Sequence, residues 1–529
     1  MIHLRMIAVY LATIAMLLFT QDIAIGQNSD DENTATAPIK YGVWENADDP
    51  DSHGSMQVMR LKVHPQAAPV PALKHRLIPD PADRTEGNSA MFYLQAMGFN
   101  EQFNARKQLH EMQQKWGQEA RDSEGITDGF PPNIWFDMPT SELPLDDVKA
   151  YLDLIAFQEH FLYDAARRKN YSQDRAMEKE ANPIAYTLPE VQQMRELARQ
   201  QIVRLRYAVA QQRIDDAVEI LGQMIAMANH VGEDQFFVSS LVAVAIEGIA
   251  VQQGFFFSQQ ADAPNLYWAI AACPDPLIDL SSSIEFERNF LLRQFPILAE
   301  VDETARSDRY WTDFVDEISP QWNELAKQMN SWGGGGNFPE NVDRFQMASN
   351  IGTHYESARD FLSEVSNMPN QQLDKYSTTQ TVFLAIVKHH AIVMDDATVE
   401  FYLPQWSPQR SEVEANHKRW RNELGWIAEV SEVFLPATKQ IRLALTRAKQ
   451  WLSLWQIVEA IRMTASESDG TMPLSLDELS VPAPLDPVTG RPFSYVANGQ
   501  TTTITGQRVG GSRYQLVVEM VKSKTEESK

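Results

Sequence analysis

The strongest constraint on this chain is a helical spacing of apolar side chains that runs twice in succession through 191–231. Val191, Met194, Ala198, Ile202, Leu205 and Val209 recur at steps of three or four residues and so hold one helical face. Ile214, Val218, Leu221, Ile225, Ala228 and Val231 repeat the design. The polar break Gln211, Gln212, Arg213 between them is short enough to fold the second helix back on the first as an antiparallel hairpin. Helical spacing returns in 91–119, 145–169, 234–260, 283–302, 308–332, 341–365, 381–395, 410–433 and 440–463, with good helix formers at the polar positions. The expected fold is mostly α: an irregular antiparallel helical bundle or hairpin array with a small C-terminal α+β module.

A hairpin needs partners to bury its apolar face, and 529 residues with 43% hydrophobic content supply them without disulfides or metals. The single cysteine, Cys273, rules out an intramolecular disulfide, and its apolar helix-end setting suits an inert buried thiol. Basic and acidic side chains number 46 and 71, and the resulting charge of −25 repels phosphate backbones and anionic lipid surfaces. Nucleic acid is therefore excluded as an expected partner. The segment 236–257 comes nearest to a membrane span, but Glu247 and glutamines interrupt or border it, as in a buried helix of a large soluble protein.

The N-terminal end reads as a targeting segment. His3 and Arg5 precede a charge-free, mostly apolar stretch from Met6 to Phe19, and Ala24, Ile25 and Gly26 supply a small-x-small cleavage site. We expect a signal peptide over 1–26, a polar flexible leader over 27–55, and an extended arm over 56–87 that opens with one short strand and continues through Pro65, Pro69, Pro71 and Pro79. A helical domain over 88–332, a glycine-rich loop over 333–338, a second helical region over 339–438, and a long helix with a small α+β module over 439–529 complete the expected organisation. Four consecutive glycines, Gly333 to Gly336, set the break between the helical halves; Phe338 and Pro339 follow them instead of the Lys-Ser or Lys-Thr of a phosphate-binding loop.

Two resemblances bear on these segments. The hairpin at 191–231 resembles a tetratricopeptide-type unit, with Ile214 to Ala217 at the polar turn, but no period of 34 residues is seen elsewhere. After the long helix come Pro473, Ser475, Leu476 and Leu479, then Asp486, Pro487, Gly490, Pro492, Phe493 and Tyr495. Asp486 is placed to cap its own backbone two residues on, Pro487 presets the turn, and Gly490 permits positive φ before a strand; 501–504 and 514–521 supply further strands. This pattern, with Pro71 to Pro79, Gly87, Asn88, Ala90 and Tyr93 near the start, resembles a family of uncharacterised exported bacterial proteins. It is distantly similar to the globular part of type II secretion pseudopilins, with Val488 and Thr489 where that family has tryptophan and without its N-terminal methylation signal. The resemblance implies export and brings no particular activity.

Acids and histidines are the side chains through which this chain could carry chemistry. His389, His390, Asp395 and Asp396, together with His160 and Asp164 one turn apart, are the candidate metal or acid–base residues, but adjacent histidines face different sides of a helix. His110 and Glu111 lack the second histidine of a zinc-protease helix. Trp420, Trp426, Trp451 and Trp455 lie on neighbouring helices, where core packing is the simpler use. No catalytic, cofactor-binding or metal-ligating residue is assigned. The leading expectation is a non-catalytic binding or scaffold protein of the periplasm or cell exterior that contacts another envelope protein. The alternatives are an exported hydrolase using carboxylates or the His389–His390 region, and an accessory component of a secretion apparatus.

Overall fold

The computed structural model describes residues 40–51, 54–98, 103–122, 131–175, 188–331, 342–432 and 436–521. The expected signal peptide, most of the leader and the glycine run lie outside them. The fold is 60% helical, with 14 helices of at least seven residues among the described segments and a five-stranded mixed sheet.

The first hydrophobic core is built on the predicted hairpin. Helices α1 (Ala90–Ala96), α2 (Phe103–Asp122), α3 (Leu145–Leu154) and α4 (Gln158–Ala166) lead into α5 (Pro189–Ala210), α6 (Ile214–Gly232) and α7 (Phe237–Ser258). Their apolar faces share one cluster with helix α14 (Pro436–Glu467). Helix α7 is apolar on all sides, which suits a central position in a large core. Among the described residues it is the one helix long and apolar enough to cross a membrane, and 89% of its most apolar window is buried inside the protein. Gly254 lets α14 approach α7 closely, since a Cβ there would lie 2.5 Å from the ring of Trp455.

The single helix expected over 145–169 is instead split at Ile155. At the break the Ile155 carbonyl accepts from Gln158 N at 3.0 Å in a tighter turn and also from Arg204 Nη2 at 2.7 Å, and the guanidinium donates further to Gln158 and Gln201. A partner distant in the chain thus adds to the tight turn at the break, a contact that sequence spacing does not register. The chain then forms β4 (Arg168–Asn170), which pairs in parallel with β3 (Thr85–Asn88).

The second core comprises α9 (Asp308–Ser331), α10 (Arg344–Thr353), α11 (Tyr355–Val365), α12 (Thr378–Tyr402) and α13 (Pro408–Leu424), which follow α8 (Ser281–Arg288) in the chain, and a short helix, Trp426–Ser431. Its buried residues run from Leu291 to Leu325 on one side of the glycine run and from Val342 to Val430 on the other. The expected break at 333–338 therefore does not separate two cores. The first core resumes after it, with Ile441 of α14. Helical spacing over 341–365 and 410–433 is likewise divided, at His354 and Gly425.

The sheet has the order β1-β2-β7-β6-β5, with β1 (Trp44–Ala47), β2 (Ser55–Val63), β5 (Ser494–Asn498), β6 (Thr501–Thr505) and β7 (Ser512–Met520). Two expectations change here. The strand expected at the start of the arm is an inner strand of the C-terminal sheet, paired in parallel with the central strand β7 along its whole length. The expected leader contains β1, whose Trp44 stacks on Trp451 and meets the edge of Tyr514. Alternate residues Met59, Leu61 and Val63 of β2 and Tyr514, Leu516, Val518 and Met520 of β7 are buried in the first core, so the pleat supplies one apolar face to the helices.

The turn expected at 486–490 forms as read. Asp486 Oδ1 accepts from Val488 N at 2.9 Å, Gly490 N donates to the Asp486 carbonyl at 2.8 Å, and Gly490 has a φ of +64°. The structure adds that the Asp486 carboxylate is buried and also receives Gln507 N and Gln450 Nε2, which fixes the turn against α14.

Candidate functional site

The candidate histidines meet at the junction of α12, α13 and the short helix Trp426–Ser431. Residues 389 and 396 are two turns apart on α12 and share a face, and His417 and Arg421, one turn apart on α13, lie opposite them. His417 Nε2 bonds Asp396 Oδ2 at 2.9 Å, and Arg421 Nε donates to Glu432 Oε2 at 2.8 Å. His389 Nδ1 meets Ser431 Oγ at 2.6 Å, and His390 is held between two backbone carbonyls, those of Ser431 at 2.8 Å and Arg288 at 3.3 Å. Asp395 turns away and pairs with Arg288.

Proton positions follow from the partners. Ser431 Oγ donates to the Ile427 carbonyl at 2.9 Å, so its oxygen accepts from His389 Nδ1–H. That is the reverse of the arrangement in which a histidine removes a proton from a serine hydroxyl. His389 Nε2 and Glu432 Oε1 are both buried without a hydrogen-bond partner among the described residues. Burial lowers the His389 imidazole to about 4, helped by His417, His390 and Arg421, and it is neutral at pH 7. Burial raises the Glu432 carboxyl against the pull of Arg421.

The remaining sequence candidates are dispersed. His160 is exposed on α4 with its ring against Phe161, and His110 bonds Gln114 one turn on along α2. Among the described residues no three His, Cys, Asp or Glu side chains are grouped to hold a metal ion. Trp451 and Trp455 belong to the first core; Trp420 lies in the second core and Trp426 packs against it. The Cys273 thiol donates to the Ala269 carbonyl, and burial with the nearby Glu247 raises it to about 12.

His417, Arg421, Ser431 and Glu432 were not foreseen. The spacing of His417 and Arg421 was the one available signal, and it does not distinguish a buried junction from a solvated face.

Because His389 is depressed from 6.5 to about 4, the stability it confers is present above pH 6.5 and is lost as pH falls toward 4. The difference corresponds to about 3 kcal/mol. His389→Gln retains a donor for Ser431 and cannot ionise. Urea unfolding of this variant at pH 7 and 4.5 should show an acid loss smaller than the wild-type loss by about 2–3 kcal/mol; equal losses would remove the junction from the acid response.

A second feature lies at the C-terminal end of α12. Tyr402 and Trp406 are 72% and 56% exposed, with Val399 also exposed nearby. The loop carrying them is clamped by Arg410, which donates to the carbonyls of Glu400, Leu403 and Pro404. Gln405 donates to Thr446 and Glu400 pairs with Arg442, so both anchors are on α14. The Trp406 indole lies against Gly490, where a Cβ would come within 2.4 Å of Nε1, and the exposed Leu485 begins the same turn. The loop therefore presents two aromatic rings at the seam between the two cores. The chain matches no protein-family model, no curated protein and no solved structure.

Proposed function

We propose that this chain is a non-catalytic binding or scaffold protein of the cell envelope, and that the Tyr402–Trp406 loop contacts its protein partner. The observation that carries the reading is the exposure of two large aromatic rings on a loop whose carbonyls are bound by the partly buried Arg410 guanidinium. Aromatic side chains with few rotatable bonds, held in place before contact, lose little entropy on binding and are enriched where interfaces are strongest. The envelope setting rests on the targeting segment and on the resemblance to exported proteins.

A photoreactive phenylalanine analogue at position 406 tests the reading in envelope preparations. One recurrent adduct from position 406, absent when the analogue replaces His110, is the expected outcome. Loss of that adduct on Tyr402→Ala would tie it to the loop. No adduct at 406, or the same adducts from both positions, would count against a contact at this loop.

A further inference from the structure

We propose that the chain pairs with a second copy of itself through the open edge of the C-terminal sheet, β5 against β5 about a two-fold axis at Val496. This inference is independent of the aromatic loop. Strand β5 is the last in the order β1-β2-β7-β6-β5, and its register runs from Ser494 opposite Thr505 to Asn498 opposite Thr501. The two strands are joined by two residues, Gly499 and Gln500, so the closing pair Asn498–Thr501 is hydrogen-bonded and bonding alternates from there. Ser494, Val496 and Asn498 therefore direct their backbone groups to β6; the Thr502 hydroxyl donating to the Val496 carbonyl at 3.2 Å agrees. The N–H and C=O groups of Tyr495 and Ala497 are directed outward, where no further strand lies among the described residues.

Edges of sheets are ordinarily protected by charge, proline or brevity. The other edge, β1, has this protection: it is four residues long, carries Glu45 paired with Arg60, and leads into Asp48, Asp49 and Asp51. Strand β5 reads Ser-Tyr-Val-Ala-Asn and carries no charge, in a chain whose net charge is −25. A second copy would meet repulsion over most of the surface, and this strand is a neutral place to approach.

The sequence of β5 is complementary to itself. A two-fold at Val496 sets Tyr495 opposite Ala497 of the second copy, large against small, and Ser494 opposite Asn498, polar against polar. The outward groups of Tyr495 and Ala497 then exchange about four N–H···O bonds. The two Val496 side chains, 61% exposed in the isolated chain, form the central non-hydrogen-bonded pair, in which cross-strand side chains come closest. A five-residue strand pair buries less than a permanent dimer requires, so the association is transient and concentration-dependent.

The test uses the full chain over a range from about 1 to 200 μM by sedimentation velocity, with crosslinking in a Cys273→Ser background. Val496→Cys places two thiols across the axis at a Cα separation of about 4.5–5.5 Å, within disulfide range, and should oxidise readily to a covalent dimer. Ser494→Cys places them about 13 Å apart and should not. Ala497→Pro removes an outward N–H that β6 does not use, and Val496→Lys sets like charges across the axis. Both should shift the dimer midpoint at least tenfold to higher concentration while leaving the thermal melt unchanged. A chain monomeric throughout the range, equal crosslinking of the two cysteine variants, or a dimer unaffected by both substitutions would each overturn the proposal.

Discussion

Glu247→Gln should stabilise the protein by about 4 kcal/mol at pH 8 relative to its effect at pH 4.5. Glu247 lies within α7, and burial alone raises its carboxyl from 4.5 to about 8. The sign follows from the direction of the shift. The folded chain keeps a proton that the unfolded chain releases above 4.5, so the stability associated with this group is complete below 4.5 and declines as pH rises toward 8. Glutamine occupies the same space and releases no proton. Urea unfolding followed by circular dichroism should show the wild type losing stability across this interval by about 4 kcal/mol more than the variant. Parallel losses in the two proteins would mean that water reaches the carboxylate and that α7 is less enclosed than its packing indicates.

Arg462→Met should destabilise the fold by about 3–5 kcal/mol, because it leaves Glu459 as a buried charge without its cation. Both side chains are fully buried, and Arg462 Nη1 donates to the two Glu459 oxygens at 2.9 and 2.8 Å. The same guanidinium donates to the carbonyls of His64 and Ala263, while Glu459 accepts from Leu266 N at 2.9 Å and from Ser258. The pair thus ties α14 to the start of the arm and to the loop after α7. Replacing both residues, as Glu459→Gln with Arg462→Met, removes the uncompensated charge and should recover part of the loss in a double-mutant cycle. A single variant as stable as the wild type would show that the pair carries no such tie.

The helices that sequence spacing located best are those whose apolar period continues without a local competitor. The 191–231 hairpin and the helix at 308–331 form as read because their apolar residues keep one face throughout. Spacing ran on where the chain breaks, at Ile155, His354 and Gly425, because it is insensitive to contacts made by segments distant in the chain. Arg204 at Ile155 is the clearest case.

The candidate site was legible in part. His389, His390 and Asp396 do come to one junction, and the pattern of α12 suffices to place 389 and 396 on one face. The groups that determine their protonation, Ser431 and Arg421, come from segments whose position depends on packing. The exposed aromatic rings were not legible, since an aromatic residue at the end of a helix has the same local pattern whether it is covered or not.

By itself the sequence determined the helical periods, the capped turn at Asp486 and the absence of any intramolecular disulfide, because each depends on residues close together in the chain or on composition alone. Tertiary structure decided that β2 joins β7, whose Ser512 lies 457 residues beyond Ser55. It also decided that Glu247 and Glu459 are core residues in an acidic chain where carboxylates ordinarily face water. The physical reason is the same in both cases: strand pairing and desolvation depend on which surfaces come together across the fold, and a local pattern holds no record of that.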